Sequence, residues 1–335
     1  MSNEKCGLIA IIGEPNAGKS TLINRLVGGK VSIVTPKVQT TRFNIRGVCV
    51  HADSQLVFID TPGIFSAEKN FEKAMVQAAW SGIGDADVVM LLLDVTRGLR
   101  DSTLQIIDKL NSLSLRGGVA DEAIQKPKDT DDSGLLPATP SARSRNDEYM
   151  GKPVCLVLNK IDAIEKAKLF ELVEQCDKRG NFAKIFMISA LSGDGVSDIV
   201  TYLSEIVPVH PWLYPPEQMS DISLRLLAAE ITREKIFLRL EQELPYAIFV
   251  ETEAFEESDN FVKISQAILV QREGQKKIVI GDKGKMIKDI GIATRRELEK
   301  TLDKKIHLEL FVKVKPNWKE DSESYRTLGL EFRKN

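Results

Sequence analysis

Across residues 7–206, short apolar runs alternate with helix-like stretches. Residues 8–12, 55–59, 88–95, 154–158 and 185–188 read as short buried strands, and 19–27 reads as a helix opened by a glycine-rich turn. Short apolar strands interleaved with helical patterns predict a doubly wound, mostly parallel α/β sheet with helices on both faces.

After residue 207 the pattern changes. The stretch 208–220 (PVHPWLYPPEQMS) carries four prolines and reads as a semi-rigid connector, with Trp212 and Tyr214 as candidates for a wedge between domains. Beyond it, 222–244 repeats apolar residues at helical spacing, 246–252 and 261–272 are strand-like, 285–302 is helical, 306–315 is strand-like and 322–330 is helical. The order α-β-β-α-β-α predicts a separate α+β domain. The expected division of the 335 residues is therefore 1–207, a linker 208–220, and 221–335. One segment, 116–149, is rich in Asp, Ser, Gly, Pro and Lys and poor in large apolar residues. It reads as a disordered surface insertion, with a partner-docking arm as the alternative.

Composition adds little to this and removes several classes. Hydrophobic residues make up 43% and charged residues 28%, which suits a globular chain. The longest apolar stretch, 88–93, is far below the roughly 20 residues of a spanning helix. Cys6, Cys49, Cys155 and Cys176 form no C-x-x-C pair, which argues against a zinc cluster and fits a reducing compartment. The expectation is a cytoplasmic, monomeric protein, with peripheral membrane contact left open. The net charge of −2 hides an asymmetry: residues 271–335 hold 17 Lys+Arg against 11 Asp+Glu. A basic C-terminal module beside an acidic one is an electrostatic footprint for a phosphate backbone.

Candidate chemistry lies at the ends of the predicted strands. Gly13-Glu14-Pro15-Asn16-Ala17-Gly18-Lys19-Ser20, followed by Thr21, fits G-x-x-x-x-G-K-[ST] between a strand and a helix. The glycines let backbone N–H groups converge on phosphate oxygens, Lys19 neutralises the β- and γ-phosphates, and Ser20 offers a hydroxyl to Mg²⁺. Asp60-Thr61-Pro62-Gly63 follows the next strand, so Asp60 is placed to bind Mg²⁺ through water and Gly63 to offer an N–H to a γ-phosphate. Lys19 and Gly63, with Thr41 below, are the candidate catalytic set. Asn159-Lys160-Ile161-Asp162 selects guanine: the Asp162 carboxylate accepts from N1–H and the exocyclic amine, which adenine cannot satisfy. Asn159 would fix the loop and meet N7, Lys160 would cover the base, and Ser189-Ala190-Leu191 would aim a backbone N–H at O6. Ile64 stands where a Gln would orient water in Ras-like switches, so slow intrinsic hydrolysis is expected.

In the C-terminal module, Ile278-Val-Ile-Gly281-Asp282-Lys283-Gly284-Lys285-Met-Ile287 fits the I-G-x-x-G-x-x-I core of a KH domain. Such a loop lets a single-stranded phosphate chain approach the backbone, and Lys285 and Lys288 add positive charge beside it.

Together the four motifs resemble the translation-factor-type P-loop GTPases, and Gln39-Thr40-Thr41-Arg42 resembles the switch I segment of their Era-type branch. That resemblance implies that Thr41, with neighbouring Thr40 as the less favoured alternative, completes the Mg²⁺ shell when GTP is bound. It also implies that Asn16 is a candidate K⁺ ligand, the plainer role being to shape the Pro15-Asn16 turn. A GTPase domain followed by a connector and a type II KH domain, including AAEITREK (228–235) and HLELFVKVKPNW (307–318), is similar to the Era family over about nine-tenths of the chain. The resemblance implies GTP and GDP as ligands, the 3′ end of small-subunit ribosomal RNA and the small subunit as partners, and a role in subunit maturation. It further implies peripheral contact with the cytoplasmic face of the inner membrane. GTP-dependent order in switch I is expected to reach the KH domain across the connector.

Overall fold

A computed structural model describes residues 4–67, 69–115 and 151–330. The expected insertion 116–149 lies outside the described residues. The first domain opens with strand β1 (Lys5–Gly13), helix α1 (Lys19–Val27), β2 (Ile45–His51), β3 (Ser54–Asp60), α2 (Asn70–Asp85) and β4 (Val88–Asp94). It continues through α3 (Asp101–Leu115), β5 (Val154–Asn159), α4 (Lys166–Asp177), β6 (Lys184–Ile188) and α5 (Val196–Ile206). The sheet order is β2-β3-β1-β4-β5-β6, parallel throughout except that edge strand β2 runs antiparallel to β3.

The continuous apolar strands follow from burial on both faces. Ile9, Ile11, Met90 and Leu92 pack with Leu22, Ile23 and Leu26 of α1 and Ile199 and Leu203 of α5. The alternate residues Ala10, Ile12, Leu91 and Leu93 pack with Ile106 and Ile107 of α3 and Leu169, Leu172 and Cys176 of α4. All four cysteines are free, and burial pushes the Cys155 and Cys176 thiols up to about 11. No helix among the described residues is long and apolar enough to cross a membrane.

The second unit consists of α6 (Leu224–Arg239), β7 (Phe249–Glu257), β8 (Phe261–Val270), α7 (Glu273–Ile280), α8 (Lys285–Leu302), β9 (Lys305–Val314) and α9 (Ser322–Thr327). Its sheet order is β7-β8-β9, with β7–β8 antiparallel and β8–β9 parallel. The sequence pattern gives α2–α5 only as helical stretches without bounds and leaves β2 and α7 unassigned. Strand β2 has only a short, edge-type alternation. Helix α7 buries only Val279, so it has no apolar stripe to announce it.

The connector lies against the first sheet and not between domains. Pro208 accepts from the Cys6 N–H at 3.1 Å, Met219 accepts from the Val48 N–H at 2.8 Å, and Ser220 bridges to Gly47 of β2. The buried Gln55 amide accepts from the Leu213 and Tyr214 N–H groups at 2.9 and 3.0 Å, while the Trp212 indole donates to the Asp53 carbonyl at 3.3 Å. The exposed hydrogen-bonding side of β2 is thereby covered.

The two units meet directly elsewhere. Phe43, Ile45, Phe71 and Met75 of the first form one buried cluster with Phe249, Leu269, Trp318 and Tyr325 of the second. Phe71 stands edge-on to Trp318 and Tyr325, with centroids at 5.6 and 5.5 Å.

Candidate nucleotide site and nucleic-acid interface

The carboxyl ends of β1, β3, β5 and β6 converge, which is where ligands of open α/β sheets are held. A cleft of about 430 Å³ is lined there by Pro15, Asn16, Gly18, Lys19, Ser20 and Thr21, facing Thr41 and Lys160. The phosphate loop is pinned from outside itself. Glu14 accepts hydrogen bonds from Ser102 and, at 2.7 Å, from Thr103 at the start of α3. Arg97 donates to the Pro15 carbonyl at 3.2 Å, and Lys160 donates to the Asn16 carbonyl at 3.0 Å. Lys160 also pairs with Asp94 at 2.6 Å; burial works against that carboxylate's charge, but Lys160 and Thr96 hold it below its usual range. Asp94, Arg97 and the α3 hydroxyls carry no motif and were not legible as site residues.

Asn159 joins two motifs. Its Nδ2 donates to the Ala17 carbonyl at 2.8 Å and its Oδ1 accepts from the Ala190 N–H at 2.9 Å. The amide thus fixes the loop, and the Ala190 N–H points at Asn159. Gly18 has φ 100°, and a Cβ there would lie 2.3 Å from Asn159 Nδ2. Asp162 sits exposed on a 3₁₀ turn (Ile161–Ala163) after left-handed Lys160, and buried Ser189 lies at the end of β6.

Lys19 is buried and folds back onto the carbonyls of Gly13 and Glu14 at 3.2 and 3.0 Å. Burial lowers its pKa to about 8, with Asp60 and Glu14 opposing the shift. Asp60 is fully buried, and its Oδ2 accepts from Ser32 at 2.6 Å, Ser20 at 2.9 Å and Thr41 at 3.2 Å. Its Oδ1 has no partner, and burial raises its pKa, against the opposing pull of Ser32, Lys19, Ser20 and Thr41. A buried carboxylate oxygen without a donor, beside two hydroxyls 2.9 Å apart, is an oxygen set that fits a hard divalent cation. Ser32 belongs to this cluster and no motif pointed to it.

The two switch threonines separate. Thr41 Oγ1 faces Ser20 and Asp60, whereas Thr40 Oγ1 donates to the Lys37 carbonyl at 2.7 Å and lies 2.8 Å from Thr35. Thr61 donates to the Ile11 carbonyl at 2.7 Å, Pro62 and Gly63 are buried, and the Ile64 N–H donates to the Gly13 carbonyl at 3.1 Å. The Ile64 side chain packs into the α3–α4 core, so it gives no polar group to the cleft. Asn16 Nδ2 donates to the Pro36 carbonyl at 2.9 Å, tying phosphate loop to switch.

In the second domain, Gly281 (φ 73°), Lys283 (φ 47°) and Gly284 (φ 77°) bend the chain sharply between α7 and α8. Asp282, Lys283, Lys285 and Lys288 are exposed, and a Cβ at Gly284 would meet nothing within 4 Å.

Switch I contacts the second domain without using the connector. Arg42 is 1% exposed, donates to the Ile248 carbonyl at 2.9 Å and lies within 6 Å of the ring centroids of Phe71, Phe237 and Trp318. Burial and the nearby Arg233 lower its pKa to about 9, although Glu230 opposes them. Besides the expected route across 208–220, switch I therefore has a direct contact with the second domain.

Sheet order, phosphate loop, guanine loop and glycine turn define a P-loop GTPase joined to a KH domain. Residues 8–117 match the family described as 50S ribosome-binding GTPase, and residues 243–319 match the KH domain. The chain is 46% identical to GTPase Era of Mesorhizobium japonicum, over 97% of this chain and 94% of that one. It is also 46% identical to GTPase Era of Sinorhizobium medicae, over 98% and 95%. A crystal structure of Era in complex with MgGDPNP and nucleotides 1506–1542 of 16S ribosomal RNA superposes with a TM-score of 0.81 at 35% identity, covering 97% of this chain and 99% of that one. A tyrosine-to-alanine variant of Aquifex aeolicus Era bound to GDP·AlF₄⁻ superposes equally well at 34% identity, with the same coverage. The chain belongs to the Era family of GTPases, which hydrolyse GTP.

Proposed function

We propose that this protein is a GTP-driven RNA-binding switch that engages the 3′ end of small-subunit ribosomal RNA and assists maturation of that subunit in the cytoplasm. The observation that carries the reading is the seating of one segment, switch I, on both the nucleotide site and the second domain: Thr41 lies against Ser20 and Asp60, and Arg42 lies beside Phe237 and Trp318 of the second domain. A change of order at the γ-phosphate therefore has a direct mechanical path to the RNA-binding domain. The RNA complex of the related Era supports the choice of RNA.

In this reading Ser20 and Thr41 hold Mg²⁺ directly and Asp60 holds it through water. The ion, when bound, supplies positive charge to the β- and γ-phosphate oxygens. Lys19 leaves the loop carbonyls for the phosphates, and the Gly63 N–H meets the γ-phosphate. Asp162 reads guanine while Asn159 keeps the phosphate and base loops in register. With Ile64 packed into the core, the side chain next to Gly63 cannot orient water, so hydrolysis is slow unless another group or charge enters. Asn16 Oδ1, on the loop that its Nδ2 ties to Pro36, is the proposed K⁺ ligand. A higher rate in K⁺ than in Na⁺, lost in Asn16→Ala, checks that assignment.

The deciding measurement is the affinity for an RNA matching the 3′ end of 16S ribosomal RNA, taken with GDPNP and with GDP. The expected result is at least tenfold tighter binding with GDPNP, about 1.4 kcal/mol. Equal affinities in the two states would overturn the switch.

A further inference from the structure

Three ionisable side chains of α6 are buried where the helix faces switch I. Glu230, Arg233 and Glu234 are 4%, 1% and 4% exposed. Charged groups are rarely this buried unless paired, and here Arg233 pairs with Glu230 inside the helix while Glu234 pairs with Lys30 across the domain boundary. Glu230 grips the guanidinium of Arg233: Nε donates to Oε1 at 2.7 Å and Nη2 donates to Oε2. The oriented fork then donates through Nη2 to the Thr40 carbonyl and through Nη1 to the Gln39 carbonyl at 3.5 Å. One turn further, Glu234 Oε1 accepts from the Val34 N–H at 2.9 Å. Its Oε2 pairs with Lys30 at 2.7 Å, and Lys30 also reaches Glu297 of α8 at 2.8 Å. The segment from Lys30 to Thr40 is therefore held at both ends by the second domain.

The peptide bond is planar, so a fixed Thr40 carbonyl also fixes the N–H and Cα of Thr41. Thr41 is the residue whose hydroxyl completes the Ser20–Asp60 cluster. We propose that Arg233, braced by Glu230, is a positioning residue for the GTPase site: the KH side sets Thr41 in register with the Mg²⁺ donors, and Glu234 anchors the other end of the switch. This rests on the reading of Thr41 as a ligand of the GTP-state metal. By linkage, whatever the docked second domain adds to Thr41 order, GTP binding returns as tighter docking.

The test uses the full chain and three variants: Thr41→Ala, Arg233→Lys, and the double Glu230→Gln/Arg233→Met, which removes both members of the α6 ion pair together. Two quantities are read: the ratio of GDPNP to GDP affinity at fixed Mg²⁺, and hydrogen exchange of the 39–42 amides in nucleotide-free protein. Thr41→Ala should lower the ratio about tenfold. The double variant should match it, with GDP affinity unchanged, faster exchange at 40–42 and no further loss when combined with Thr41→Ala. Arg233→Lys keeps the pairing with Glu230 but lacks the fork, so it should fall between. It also supplies the same readouts if the double variant fails to fold. If Thr41→Ala lowers the ratio while the Arg233 variants leave ratio and exchange at parental values, the clamp is wrong and the metal reading stands. If Thr41→Ala leaves the ratio unchanged, the metal reading itself falls and takes the clamp with it. Equal losses for GDP and GDPNP in the Arg233 variants would mean a merely structural role, which also overturns the proposal.

Discussion

Two glycine-punctuated loops in this chain are the proposed phosphate-binding turns, and they are built in opposite ways. The loop from Gly13 to Ser20 is held by Ser102, Thr103, Arg97, Lys160 and Asn159, each from another element, and Lys19 is buried against its carbonyls. The loop from Gly281 to Gly284 projects between two helices, and the side chains of Asp282, Lys283, Lys285 and Lys288 make no hydrogen bond or ion pair among the described residues. The first is preorganised, so little ordering remains to oppose binding. The second relies on charge in open solvent, so its binding should be graded and strongly salt-dependent. The difference follows from the ligands each must hold: a compact nucleotide can be enclosed, whereas an RNA strand must be able to pass.

The largest effect should come from Gly18→Ala. The new Cβ would lie 2.3 Å from Asn159 Nδ2, at a φ of 100° that disfavours any side chain. Asn159 is 2% exposed and bonded at both ends, so it cannot swing away without releasing Ala17 and Ala190. Breaking two buried hydrogen bonds at about 1–3 kcal/mol each should weaken GTP and GDP alike by roughly a hundredfold or more, as read by nucleotide titration. Binding within a few-fold of the parent would break the claim that this loop is rigidly tied.

A smaller effect is expected at the open loop. Lys283→Asp places two adjacent carboxylates on the proposed path of the RNA backbone. Affinity for single-stranded 16S 3′-end RNA should fall about tenfold, and the salt slope should drop by about one unit for each phosphate that is no longer neutralised. GTP affinity and thermal unfolding should stay at parental values, because Lys283 is exposed and has no partner among the described residues. Unchanged RNA affinity at moderate salt would show that the strand does not run over this turn.

The contrast also marks what could be read without coordinates. Helices α1 and α8 have the bounds the sequence predicts, because each opens at a glycine in left-handed conformation that the motif spacing already locates. The GTPase motifs were legible for the same reason: their chemistry is packed into adjacent residues. What escaped depends on contacts between distant residues. Ser32 reaches Asp60 only because the switch folds over α1. Helix α7 stands on a single buried valine. Arg233 could be read as an ordinary exposed helix residue until the fold places it against Thr40. The connector looked like the channel between domains because it joins them in sequence, yet its bonds run to Cys6, Val48 and Gln55 of the first sheet.

The smallest effect should come from the same substitution made in the second loop. Gly284→Ala adds a Cβ that meets nothing within 4 Å, so unlike Gly18→Ala it displaces no neighbour. What remains is backbone strain: Gly284 has φ 77°, and holding an L-residue in the left-handed region costs roughly 1–2 kcal/mol. The second domain should unfold a few degrees lower, with GTP and GDP affinities unchanged. RNA affinity should fall only a few-fold, because the methyl group faces the open side where the strand would lie, and all nearby lysines remain. Gly281 offers an internal control, since a Cβ there would lie 2.6 Å from the Met286 Cβ and 2.9 Å from its backbone nitrogen. Gly281→Ala should therefore destabilise clearly more than Gly284→Ala in the same thermal scan. If the two behave alike, the turn repacks freely, and it is then a flexible tether for RNA and not a shaped platform.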